Sequence, residues 1–393
     1  MKSIRLLALV IILGACTSLP REPVPVDQQS NATIPNIPDA RFWGDVPPPS
    51  LDAMLRKIEE QRRASGMDAR EVTVLVLSGG GDDGAYGAGL LNAWSELGTR
   101  PEFDIVTGVS TGALSAPFAF LGPEYDDKLR LVYGGLPARS IFRFRSWVSI
   151  LQQASVVDVS PLEKIIEEFM DEAMATAIAR EHAKGRRILV QSTNLDAQRP
   201  IIWDIGAIAS SAAPNRLDVI KQALLASASI PVAFPPVLIE VDVNGSSYDE
   251  MHVDGGTISE DTVLFGWQQG IQKFMQDTAP GKKATYYIVR NGKVGPEAAS
   301  VDYSLMEIAK RALSTLIKSQ GNDNLITSAG VVKKRGAEYN ASWIGDDFNH
   351  PYPAPFDPGY MKALYQYGYE KMRNGQAWIN DAPYVALESA EDN

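Results

Sequence analysis

Two glycine-punctuated stretches of this 393-residue chain have the residue types and spacing for chemistry. In LVLSGGGDDGAYGAGLLNAW, Leu75 to Trp94, an apolar run breaks on Gly79, Gly80 and Gly81 and then reads as a helix. Bare amides at such a place can receive a phosphate, or an oxygen whose charge develops only during a reaction. The second stretch, Gly108-Val109-Ser110-Thr111-Gly112, is a Gly-x-Ser-x-Gly pattern set between a strand and a helix. Gly108 and Gly112 permit the sharp turn that presents the Ser110 hydroxyl as a nucleophile, and the following helix points its positive end at the same spot.

Such a serine needs a base, and histidine is scarce: His182, His252 and His350 only. The order serine, acid, histidine would require His350, in the segment NHPYPAPF. The other candidate is Asp254 in His252-Val253-Asp254-Gly255-Gly256, where Gly255 and Gly256 let the chain turn away and leave the carboxylate at a strand end. An aspartate before glycine is also a common β-turn residue. Burial should raise Asp254 from an ordinary pKa of about 3.9 toward useful basicity. His252 shares its strand face and could tune it, although packed strand structure is the plainer reading.

Gly79-x-Gly81-x-x-Gly84 also fits a dinucleotide fingerprint, with Asp104 twenty residues on. Its context is wrong for that role. Asp82 and Asp83 would crowd a pyrophosphate with like charge, and Asp104 falls near the start of its strand rather than the end.

The elements that must position these residues alternate. VTVLVL from Val72 reads as a strand buried on both faces, residues 85–97 as a helix, FDIVT as a second strand and 112–121 as a helix. Strands follow at 186–195 and 200–205, a helix at 217–228, and a hairpin from VLIEVDV through Asn244-Gly245 to YDEMHVDGG. Then come a helix near 262–275, the strand ATYYIVRN, a long helix from Ser304 to Ser319 and a last one over 357–375. Neighbouring parallel strands place the amides of Gly79 to Gly81 beside Ser110, pairing a nucleophile with an oxyanion hole. Alternation of this kind predicts an α/β fold with a mainly parallel sheet.

Charge and the N-terminus bound the setting. A formal charge of -11, with 37 basic against 48 acidic residues, argues against nucleic acid as a partner. One cysteine and three scattered histidines cannot build a zinc site, and no cofactor is implied. Lys2 and Arg5 precede the apolar run Leu6 to Leu13, too short to span a bilayer and laid out as an export signal. Leu13-Gly14-Ala15-Cys16 resembles a bacterial lipoprotein signal. The resemblance implies that residues 1–15 are removed and that Cys16 is lipidated. With Thr17 rather than aspartate next, it also implies the outer membrane of a Gram-negative cell. Prolines through 17–49 predict a tether over 16–49. A helix begins after Ser50. In SIFRFRSWVSIL, Arg143 and Arg145 among aromatics could form a lipid-facing flap, though half-buried structure is the plainer reading.

Taken together, SGGGDDGAYGAGLL, GVSTG, the block Ala226-Ser-Ala-Ser-Ile-Pro231-Val-Ala-Phe234-Pro235-Pro236 and HVDGG resemble the motifs of the patatin-like phospholipases, in order over residues 72–256. The resemblance implies a three-layer fold over 50–393, with 257–393 as a C-terminal helical extension. It also implies a Ser110–Asp254 dyad, oxyanion donors around Gly80 and Gly81, and a lipid or other acyl ester as substrate. Asp82 and Asp83 depart from it, since relatives carry a small residue and then Arg or Lys there. That departure favours a neutral or cationic ester over an anionic phospholipid. The alternatives are a non-catalytic envelope lipoprotein that binds acyl chains, and a Ser-His-Asp esterase using His350.

Overall fold

The structure is a computed structural model that describes residues 21–67, 71–134, 143–144, 157–278 and 281–383. Its strands are β1 (Arg41–Trp43), β2 (Glu71–Leu77), β3 (Ile105–Val109), β4 (Arg143–Phe144), β5 (Val157–Asp158), β6 (Arg187–Asn194), β7 (Arg199–Asp204), β8 (Val237–Val243), β9 (Ser246–Asp254), β10 (Lys283–Lys293) and β11 (Glu338–Ile344). The helices, in chain order, are α1 (Leu51–Ala64), α2 (Gly84–Glu96), α3 (Thr111–Leu121), α4 (Asp126–Tyr133), α5 (Ser160–Phe169), α6 (Glu172–Ala183), α7 (Ile205–Ala209), α8 (Arg216–Ser227), α9 (Gln268–Thr278), α10 (Leu305–Lys334) and α11 (Pro358–Arg373).

One sheet runs in the order β1-β7-β6-β3-β2-β10-β11, with β9 also on β6 and β8 on β9. Its centre, β6-β3-β2-β10-β11, is parallel, while β7, β1 and the β8–β9 hairpin are antiparallel. Successive side chains on a strand point to opposite faces. Leu75 and Leu77 enter the core beneath α2, α3 and α11, while Val74 and Val76 meet Leu325, Ala329 and Val332 of α10. Both faces are therefore covered, as expected of a mainly parallel sheet.

Three expectations need correction. Residues 21–49 do not hang as a tether. Val24, Ile34, Ile37 and Ala40 are buried, Thr33 N–H bonds the Asp242 carbonyl (3.0 Å), and β1 covers the edge of β7. Proline bars long strands, but single apolar anchors between prolines suffice to close sheet edges one bond at a time. The helix expected to end at Ser319 continues to Lys334 through Gly-Asn-Asp-Asn, because packing of Leu325 and Val332 overrides weak local propensity. The helix expected at 262–275 begins at Gln268, after a single tight turn at Phe265–Trp267. The expected flap at 140–151 falls outside the described residues apart from β4, which pairs with β5.

Candidate active site

β2 and β3 lie side by side and parallel, so the glycine loop after Leu77 and the turn at Ser110 meet at one sheet end. Ser110 closes β3 at φ 54 and ψ -123. A side chain held in so sparsely populated a region stores ~1–3 kcal/mol of strain. Close approach imposes it. A Cβ on Gly108 would lie 2.5 Å from the Gly112 carbonyl oxygen, and one on Gly112 would lie 2.3 Å from that of Leu77. Both elbow glycines let α3 start directly against the strand ends. The Ser110 N–H donates to Ser227 Oγ (3.0 Å), whose hydroxyl donates to the Gln191 carbonyl (2.6 Å).

Asp254 ends β9 in antiparallel register with Ser192 of β6. Its N–H donates to the Ser229 carbonyl (2.8 Å), and its Oδ1 accepts from the Gly256 N–H (2.7 Å). The block from Ala226 to Pro236 thus holds both halves of the candidate dyad, through Ser227 and Ser229. Gly255 is needed because a Cβ there would sit 2.5 Å from the Gln191 carbonyl oxygen. Asp254 Oδ2 is buried with no hydrogen-bond partner. Burial pushes the Asp254 pKa up to about 7, the nearby Ser110 hydroxyl pulls it down, the Glu260 carboxylate raises it, and the Gly256 N–H lowers it. Ser110 and Asp254 are therefore neighbours, with the Ser110 hydroxyl within reach of the carboxylate.

The glycine loop differs from expectation at one position. Gly79 N–H donates to the Glu260 carbonyl (3.1 Å), so it is withdrawn from the oxyanion donors. The amides of Gly80 and Gly81 have no hydrogen-bond acceptor among the described residues. The loop is clamped by Asn291 at the end of β10, which donates from its backbone to Ser78 Oγ (2.8 Å) and from Nδ2 to the Ser78 carbonyl (3.0 Å). Gly80 takes φ 149 with its Cα so close to β10 that a Cβ would lie 2.0 Å from the Asn291 carbonyl oxygen.

Glu260, Asp261 and Arg290 form a buried charged cluster behind the dyad. Arg290 pairs with Glu260, and burial raises both carboxyls, Asp261 to about 7. The Glu260 carboxylate fills the space a Cβ would need at both Gly79 (3.0 Å from Oε2) and Gly256 (2.4 Å from Oε1). Nothing in the spacing of residues 260 and 290 announces this cluster. Ser227 had a signal, since it lies in one of the quoted blocks.

Asp82 and Asp83 turn away from the serine toward the C-terminal segment. Asp82 Oδ2 accepts from the Phe356 N–H (2.8 Å), and Asp83 Oδ1 accepts from the Tyr360 hydroxyl (2.7 Å). Burial raises both, and with Asp82 beside it Asp83 reaches about 7. Their charge next to the loop is reduced accordingly. This segment places Phe356, with Gly81, Leu114, Ile230, Phe234 and Met361, around a cavity of about 40 Å³ that Ser110 also lines. Ser110, expected to stand in the open, is 5% exposed.

The remaining candidates lie elsewhere. His252 is fully buried between Glu250 (3.1 Å) and Ser192 (3.0 Å), with its pKa lowered by burial, and serves the packing of β9 on β6. His350 is exposed, stacks on Phe348 and bonds the Pro351 carbonyl (3.0 Å). Asp104 pairs with buried Arg62 at the opposite strand end and accepts from the Thr73 N–H (2.7 Å), so the dinucleotide reading loses its acid.

Fold and site together define an α/β protein with a strained serine at a strand-to-helix turn and a buried aspartate beside it. The patatin-like phospholipase family model matches residues 75–264, which contain the glycine loop, the elbow, the Ala226 to Pro236 block and the Asp254 turn. Similar solved structures include VipD from Legionella pneumophila, 12% identical, covering 78% of this chain and 67% of that one, with a TM-score of 0.33. Human GIVD cytosolic phospholipase A2 is 8% identical, with coverages of 81% and 53% and a TM-score of 0.30. ExoU–SpcU from Pseudomonas aeruginosa gives 12%, 79%, 53% and 0.27. The chain thus spans about half the length of the last two. No curated protein matches it in sequence.

Proposed function

We propose that this chain is a serine acyl hydrolase that cleaves carboxylic esters of lipids and is held at a membrane by a lipid on Cys16. The observation that carries the reading is a strained serine beside a buried carboxylate with one unpartnered oxygen and a pKa of about 7. Such a carboxylate is matched to proton transfer near neutrality. Asp254 takes the Ser110 proton as Oγ attacks the ester carbonyl carbon, and the amides of Gly80 and Gly81 receive the oxyanion. The C–O bond to the alcohol breaks, and the alcohol leaves with the proton from Asp254. Water then attacks the acyl-serine, giving its proton to Asp254, and the acid departs as Ser110 is re-protonated. Because Asp82 and Asp83 face the C-terminal segment, they leave phospholipid among the esters the site can take.

A fluorophosphonate probe should label Ser110. Ser110→Ala and Asp254→Asn should each lower kcat on a soluble p-nitrophenyl ester by roughly a thousandfold or more while melting normally. Unlabelled Ser110 in a folded chain would favour an acyl-binding lipoprotein without turnover. Full activity in either variant would end the dyad assignment.

A further inference from the structure

Helix α10 wears its amphipathicity inside out over its first half. From Gly321 onward it lies on the sheet, with Gly321 making room for the Arg290 guanidinium and Leu325 in the core. Its C-terminal end leads into β11 at Glu338, so residues 305–320 point toward the C-terminal ends of the parallel strands, the end that carries Ser110 and Asp254. At 1.5 Å per residue these sixteen positions make a projection of ~24 Å. Its polar side faces the protein's own loop, since Arg311 donates to the Glu297 carbonyl and Lys318 pairs with the Glu297 carboxylate (2.7 Å). The other side is apolar and turned outward. Leu305, Met306, Ile308 and Leu316 are exposed, Leu305 at 87% and Leu316 at 69%, as is Tyr303 just ahead of the helix. An unpartnered apolar stripe of this kind marks an interaction surface.

We infer that this half-helix docks on the lipid surface that holds the substrate. The inference rests on the proposed lipid-ester reading and names what brings the site to its substrate. The position of Arg21, close to Cys16 in sequence, favours lipid over a protein partner. Arg21 is pinned to Asp196, just past the C-terminal end of β6, which is again the end that carries the dyad. Cys16 is five residues earlier, a reach of at most ~18 Å. A lipid on Cys16 would therefore bring this end of the sheet, and the projecting helix with it, against the bilayer. No helix among the described residues is long and apolar enough to cross a membrane, so α10 would lie in the interface.

The test uses the chain from Thr17 onward, which lacks both the apolar run Leu6 to Leu13 and the acyl anchor and leaves the helix to act alone. Flotation with phosphatidylcholine vesicles should carry it up, and adding Leu305→Ser, Ile308→Ser and Leu316→Ser should weaken binding by roughly tenfold or more. Hydrolysis of vesicle lipid should fall in parallel, while turnover of a soluble short-chain ester stays within about twofold and melting is unchanged. Vesicle binding unaffected by the triple substitution overturns the inference. So does a concentration-dependent dimer that the substitution dissolves without changing vesicle binding. A chain that binds vesicles through the helix yet hydrolyses no ester sinks the hydrolase reading and leaves the docking surface standing.

Discussion

The reading of Asp254 as a base makes a quantitative demand on Glu260. The position a Cβ would take on Gly256 lies 2.4 Å from Glu260 Oε1 and 3.1 Å from Asp254 Oδ1. These oxygens are thus no more than about 5.5 Å apart, and two full charges at that distance repel by ~3 kcal/mol at an effective dielectric of about 20. Arg290 cancels part of this, because its guanidinium pairs with Glu260. The residual should hold the Asp254 pKa up by about one unit. Glu260→Gln removes the repulsion and leaves Arg290 with only Asp261 as a counter-charge, so both changes favour the charged aspartate. The acid limb of kcat/KM on a soluble p-nitrophenyl ester should move from near pH 7 to lower pH by about one unit or more, in protein shown folded by its melting curve. The double variant Glu260→Gln/Arg290→Gln removes both charges and should move the limb less. A limb that stays put or rises in the single variant would refute the electrostatic coupling, and with it the assignment of that limb to Asp254.

Further outcomes follow from the same contacts. Phe356→Ala should enlarge the small chamber beside Ser110 and raise the preference for octanoyl over acetyl esters by roughly tenfold, read from the ratio of kcat/KM values. Asp261 is buried with a pKa raised from 3.8 to about 7, so its contribution to stability is complete below pH 4 and is lost as the pH rises through 7. Asp261→Asn should therefore gain on wild type by up to about 4 kcal/mol between pH 4 and pH 8 in denaturant unfolding; a constant difference would contradict it. His350→Ala should leave turnover within about twofold, since this ring bonds its neighbour's carbonyl; loss of activity would revive the histidine esterase.

Local signals carried much of the site into the sequence. Gly-x-Ser-x-Gly and Asp-Gly-Gly are legible because close backbone approach at Gly108, Gly112 and Gly255 leaves no room for any other residue. The alternation of β2, α2, β3 and α3 is equally local, each element carrying its own hydrophobic period. What the sequence hid is made by long-range contacts. Glu260 and Arg290 meet only because β10 lies beside β2, and the Glu260 carbonyl that captures the Gly79 amide has no marker in the residues around either. Proline content misjudged residues 21–49 because composition reports local stiffness and not which sheet edge stands open to receive it. Asp82 and Asp83 read as an electrostatic obstacle until their partners in the C-terminal segment were placed.

Those two carboxyls find their partners 274 and 277 residues later. One wall of the small chamber beside Ser110 is therefore synthesised well after the elbow and the Asp254 turn. A nascent chain, or one clipped before Phe356, already possesses its elbow and its Asp254 but has two acids without their partners and a chamber open to water. Completion of the pocket waits on this later segment, and a single proteolytic cut far from every sequence motif would undo it.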